Sequence, residues 1–167
     1  MDLKLPITPY EVSGYRFGQR LRRRFILWAT HLGDDIVAAA GTPVTAIGEG
    51  TVVWSEMRLG TPDHRNWGGV VIIRHDSFYS IYGHITDLKV AKGDHVRGGQ
   101  PLGAVAPGKT PENGMWATPH LHFAIYTGPW RENVLPGYAR PDDWLRLSPR
   151  RTRMAWWHNP QVFILGR

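Results

Sequence analysis

The 167-residue sequence predicts a mostly β protein, an antiparallel and barrel-like core followed by an irregular C-terminal extension. From about Pro43 to Tyr126, short runs rich in β-branched and aromatic residues alternate with Gly and Pro. No part of that stretch sustains a 3.6-residue apolar repeat, which argues against the alternating βα units of a parallel sheet. A chain of this length buries one core without staples, so a single domain over 1–167 is expected. Its expected parts are a lead-in at 1–16, a core at 17–126, the extension at 127–157 and a closing segment at 158–167.

Pro43–Ile47 is the first strand-like run of the core, ended by the turn Gly48-Glu49-Gly50. Thr51–Glu56 follows. Val70–Arg74 opens with four apolar residues and no alternation, as a strand covered on both faces does. Phe78–His84 alternates and puts Phe78, Ser80, Tyr82 and His84 on one face. Arg97-Gly98-Gly99-Gln100 reads as a turn before the strand Pro101–Val105, and Pro107-Gly108-Lys109 as a loop after it. In His120–Tyr126, Leu121, Phe123 and Ile125 form a core face, while His120, His122 and Ala124 share the other. Beyond Tyr126, Pro, Trp and Arg dominate. Thr127–Trp157 is read as irregular, with one helical turn at Asp142–Leu147, and the apolar run Gln161–Leu165 is expected to close the sheet.

Composition narrows the chemistry. There is no cysteine, so any metal must be held by His, Asp or Glu. Twenty Lys and Arg against 14 Asp and Glu give a net charge of +6. A basic chain is drawn to polyanions: nucleic acid, anionic lipid or the phosphate-rich polymers of a bacterial wall. The clusters are Arg16, Arg20, Arg22, Arg23 and Arg24, then Arg146, Arg150, Arg151 and Arg153. No exposed aromatic-basic strand face accompanies them, so nucleic acid is not an expected partner. No run approaches the roughly 20 apolar residues of a membrane span, and Met1–Glu11 shows no secretory signal pattern.

Two imidazoles side by side on a rigid strand, His120 and His122, suit metal binding or acid–base work. His31 and Asp35 are four residues apart with Gly33 between them, which lets the backbone bend until both side chains converge. An imidazole, a carboxylate and one more histidine make the ligand set of a catalytic zinc site with an open fourth position. His84 stands at a strand end, where it can enter a cleft. Read singly, each piece has a bland alternative: a surface histidine pair, a capping aspartate, a solvated strand end.

Together and in this order, His31-x-x-x-Asp35, Tyr82-Gly83-His84-Ile85 and His120-Leu121-His122-Phe123 resemble the motifs of the lysostaphin-type (LytM-like) zinc metallopeptidases. Asp35–Val44 resembles that family's first core strand, Val90–Gly103 its hairpin, and Asn159-Pro160 with Phe163-Ile164-Leu165 its closing segment. The resemblance covers the chain from about Phe17 onward. It implies a duplicated-hybrid-motif-like β fold. The implied activity is a peptidoglycan endopeptidase that cuts cross-links or interpeptide bridges with a zinc-activated water. One Zn²⁺ per chain would be held by His31, Asp35 and His122. His84 and His120 would be the catalytic histidines that do not bind the metal, with His120 favoured as base. The implied partner is peptidoglycan and the implied location extracytoplasmic: periplasm, cell surface or secreted. The oligomeric state is left open, with a monomer favoured. The alternative is a non-catalytic wall-binding or amidase-activating module of the same fold, a kind that typically lacks ligands present here.

Two departures stand out. Ala124 follows His-Leu-His-Phe where the family usually has an acidic residue, and Thr127–Trp157 is longer than the usual tail. Trp130, Trp144, Trp156 and Trp157 are expected to pack that extension onto the core rather than to line the groove. His64, His75, His95 and His158 are expected in structural or solvated roles. Specificity is expected in the loops Met57–Trp67 and Pro107–Thr118.

Overall fold

The computed structural model describes residues 2–22, 28–140 and 152–166. Among them are twelve strands: β1 (Arg20–Arg22), β2 (Trp28–His31), β3 (Asp34–Val37), β4 (Pro43–Thr45), β5 (Gly50–Arg58), β6 (Gly68–Arg74), β7 (Tyr79–Thr86), β8 (His95–Val96), β9 (Pro101–Val105), β10 (His120–Tyr126), β11 (Tyr138–Ala139) and β12 (Trp157–His158). Every pairing is antiparallel. The main sheet runs β12-β10-β7-β6-β5-β8, with β3 also on β10, β9 on β7 and β4 on β9. Its path is open at β12 and β8, so the barrel-like core is an open sheet and not a closed barrel. A small second sheet, β1-β2-β11, is not strand-paired to it.

Burial on both faces explains the unbroken apolar run of β6. Val71 and Ile73 face a cluster with Tyr82, Leu121, Phe123 and Ile125. Val70 and Ile72 face another with Leu32, Ile81, Ala124, Tyr126 and Trp157. All seven residues of β10 are buried as well, so its histidine face is as enclosed as its core face. Removing a side chain such as Phe123 from a strand packed this way costs about 3–5 kcal/mol.

The closing segment differs from expectation. Pro160–Leu165 is a short helix, not a strand. The Asn159 side chain accepts a hydrogen bond from Val162 N at 3.0 Å, and Pro160, with its preset φ, starts the first turn. Sheet closure passes instead to β12, which pairs with Ile125 and Tyr126. The expected helical turn at Asp142–Leu147 lies outside the described residues, as do Trp144 and Arg23, Arg24, Arg146, Arg150 and Arg151. Among the described residues no helix is long and apolar enough to cross a membrane.

Residues before β1 pack against this frame by backbone pairing. Gly14 N donates to Asp35 O and Asp35 N to Tyr15 O, at 3.1 and 2.7 Å; Gly18 N donates to His31 O and His31 N to Gln19 O, both at 2.9 Å. Asp34 is clasped from the same side by the Tyr10 hydroxyl and the Phe17 amide, each at 2.9 Å. That contact and burial push the Tyr10 phenol well above its ordinary range, burial contributing most.

Candidate metal centre

Strand register assembles the site. Asp35 on β3 lies opposite His122 on β10, and His122 lies opposite Gly83 on β7. His31 ends β2 and enters through the bend at Gly33, where a Cβ would come within 2.8 Å of His122 Nε2. Gly83 leaves room for the Trp67 ring, which any Cβ there would strike. The candidate ligand atoms of His31, Asp35 and His122 all lie within 4.8 Å of one another, and all three residues are buried. His31 Nε2 is 3.2 Å and His122 Nδ1 2.9 Å from Asp35 Oδ1, while the two nitrogens are 3.1 Å apart.

Hydrogen bonds outside the centre assign the ring protons. His31 Nδ1–H donates to Arg16 O at 3.3 Å, leaving its Nε2 lone pair turned inward. One proton on His122 Nδ1 is then shared between two acceptors, Asp35 Oδ1 and His31 Nε2. A divalent cation in that proton's place satisfies all three donor atoms at once, so the set fits Zn²⁺. His120 Nδ1–H donates to Thr118 O at 2.7 Å, which leaves its Nε2 bare and 4.0 Å from Asp35 Oδ1.

Electrostatics follow from burial. Burial alone would raise the Asp35 carboxyl, but His122 and His31 at hydrogen-bond distance hold it well below the usual carboxylate range. Burial, reinforced by His120 and His122, pushes His84 well below the ordinary imidazole value. Burial lowers His122 too, against the opposing pull of Asp35.

His84 reaches the site by a route that alternation does not give. Gly69 pairs with Ile85 and Val70 with Gly83, so His84 is the extra residue of a β-bulge, with φ of 61°. The bulge turns its ring off the Tyr82 face. It lies 4.5 Å from the ring of His120 and 6.3 Å from that of His122. The expectation that His84 shares a face with Phe78, Ser80 and Tyr82 is corrected by this.

Trp67 stacks on His84 with centroids 5.8 Å apart, and Trp116 meets His84 and His120 edge-on. Tyr15 and Tyr138 flank His31 at 5.9 and 5.1 Å. Asn113, fully buried, escapes a search for chemistry-bearing motifs. Its Nδ2 donates to Trp116 O and to Thr118 O, both at 3.1 Å, and Thr118 O is the carbonyl that orients His120. Its one signal in the sequence is an Asn-Gly turn pair. Ala124 is buried in the apolar cluster, and His122 Nε2 beside it has no hydrogen-bond partner among the described residues.

The other histidines stand apart from this centre. His75 Nδ1–H donates to Glu49 O at 2.6 Å and its Nε2 accepts from Ser80 Oγ at 2.8 Å, while its ring stacks on Phe78. His64 is in an exposed turn, His95 contacts Thr51, and His158 contacts Thr127. Trp130 stacks on Tyr79, and Trp156 and Trp157 pack on Tyr126.

Residues 29–134, which contain every one of these site histidines and Asp35, match the model of peptidase family M23. The chain belongs to peptidase family M23. This M23 chain is 34% identical over 108 residues to the DD-carboxypeptidase/endopeptidase Mpg of Neisseria meningitidis, covering 64% of this chain and 22% of Mpg. It is 36% identical over 98 residues to the peptidoglycan DD-endopeptidase ShyA of Vibrio cholerae, covering 58% of this chain and 20% of ShyA. The M23 chain thus spans about a fifth of the length of these curated relatives. Its fold is also that of the catalytic domain of the prophage-encoded M23 protein EnpA from Enterococcus faecalis, solved as a point mutant. That match has a TM-score of 0.58 and 26% identity, and covers 81% of this chain and 91% of the EnpA chain.

Proposed function

We propose that this M23 chain is a single-domain zinc endopeptidase that hydrolyses peptide bonds in peptidoglycan cross-links or interpeptide bridges, acting outside the cytoplasm. The observation that carries the reading is the convergence of His31 Nε2, Asp35 Oδ1 and His122 Nδ1 on one point, with the bare Nε2 of His120 beside it. The names of Mpg and ShyA support the substrate class.

Bound zinc would supply an acidified water and a Lewis acid for the scissile carbonyl oxygen. His31, Asp35 and His122 would hold it, one ion per chain. His120, its ring fixed by Thr118 O, would accept a proton from the attacking water through Nε2. Burial favours the neutral form of His84, which would offer a ring N–H to the carbonyl oxygen as charge develops there. Trp67 and Trp116 wall the histidine pair and limit water around it.

The test uses cross-linked muropeptide dimers, with products read by mass spectrometry. Zinc-loaded protein is expected to convert dimers to monomers with the gain of one water. Chelator-treated protein and His31→Ala are expected to leave them intact, and metal analysis should give one zinc per loaded chain. Dimers and bridged peptides unchanged by the zinc-loaded protein would overturn the reading.

A further inference from the structure

The two loops expected to set specificity are tied into one wall. Gly60 N donates to Pro111 O at 3.0 Å, Asn66 N to Gly114 O at 3.1 Å, and Trp116 Nε1 to Asn66 O at 3.2 Å. On this wall the Arg65 guanidinium lies over the Trp116 ring, its carbon 4.7 Å from the centroid. The same indole meets His84 and His120 edge-on, with centroids 5.9 and 6.4 Å away. A guanidinium seated over an indole by a cation–π contact can still offer its N–H fork to a carboxylate, which it grips with two parallel hydrogen bonds. The Lys and Arg ion pairs seen among the described residues include Arg58–Glu56, Lys89–Asp87 and Lys92–Glu132, and none of these engages Arg65. Arg65 is exposed to solvent, so an incoming ligand reaches the fork without displacing protein.

We propose that Arg65, seated over Trp116, is a specificity-determining residue that reads a free carboxylate of the wall peptide next to the scissile bond. The proposal rests on the peptidoglycan reading for the identity of that ligand. The carboxylate is either a peptide C-terminus or an acidic side chain, and both offer the same planar pair of oxygens. Because the two loops are pinned before ligand arrives, little ordering accompanies binding, which favours discrimination between a carboxylate and its amide.

The experiment measures binding to metal-free protein, which separates recognition from cleavage. A cross-linked wall peptide is compared with two analogues, one amidated at the C-terminus and one at the acidic side chains, by titration calorimetry. For wild type, one of the two amidations is expected to weaken binding about tenfold, the cost of losing a charge-assisted contact, and which one identifies the source. Arg65→Gln is expected to bind acid and amide forms alike, and Arg65→Lys to keep part of the preference. Equal binding of all three peptides by wild type, or a preference that survives in Arg65→Gln, overturns the subsite. If acid-form preference holds but zinc-loaded protein cleaves nothing, the hydrolase reading fails and the subsite stands. Cleavage without preference sinks the subsite alone.

Discussion

His120 and His122 leave one strand two residues apart, yet they turn opposite ring nitrogens toward Asp35. His122 presents Nδ1 at 2.9 Å, and His120 presents Nε2 at 4.0 Å because Thr118 O holds its other nitrogen. His120→Ala is therefore expected to retain zinc while kcat falls by roughly 10²–10⁴-fold, whereas His122→Ala should lose the metal; metal content and kcat measured on the same preparations check both. Alternation along a strand made the His120–His122 pair readable in the sequence, since period two is local. The same rule failed at His84, where the bulge depends on how β6 pairs with β7 and no local pattern announces it. Asn113 was also invisible, because it acts through a backbone carbonyl and any residue can supply one.

At the scale of elements, the bend between β2 and β3 decides whether two ligands on different strands can meet. Gly33→Ala would put a Cβ within 2.5 Å of Phe123 O and 2.8 Å of His122 Nε2, so backbone or ring must give. The expected outcome is a loss of about 1–3 kcal/mol in stability from overpacking, with weaker zinc binding, read by denaturant unfolding and metal titration. The core strands from Pro43 onward were legible because their apolar runs are bounded by Gly and Pro. The helix at Pro160–Leu165 was not, since five or six apolar residues fit either period and the Asn159 cap decides. β1 and β2 were missed for a related reason: Arg20–Arg22 offers a single apolar residue, Leu21, and is held by pairing with Trp28–Thr30.

For the whole molecule, buried histidines tie stability to acidity. His75 is distant in role from the metal centre, and burial lowers its folded-state pKa below the ordinary 6.5. As pH falls through that value the unfolded chain takes up a proton that the folded chain resists, so its contribution is intact above about 6.5 and is lost below. Chemical denaturation of His75→Gln between pH 7.5 and 5 should show a shallower pH slope than wild type, by up to about 1.4 kcal/mol per pH unit. Equal slopes would place the proton uptake elsewhere. Another consequence lies in the backbone pairs that join residues 14–19 to His31 and Asp35. The span that defines the family, 29–134, carries every proposed ligand but none of these partners, nor Arg16 O behind His31. A recombinant fragment trimmed to that span would keep the ligands on paper and leave the first histidine swinging. Zinc retention on dialysis should fall well below that of the full chain, so the working unit is longer than its signature.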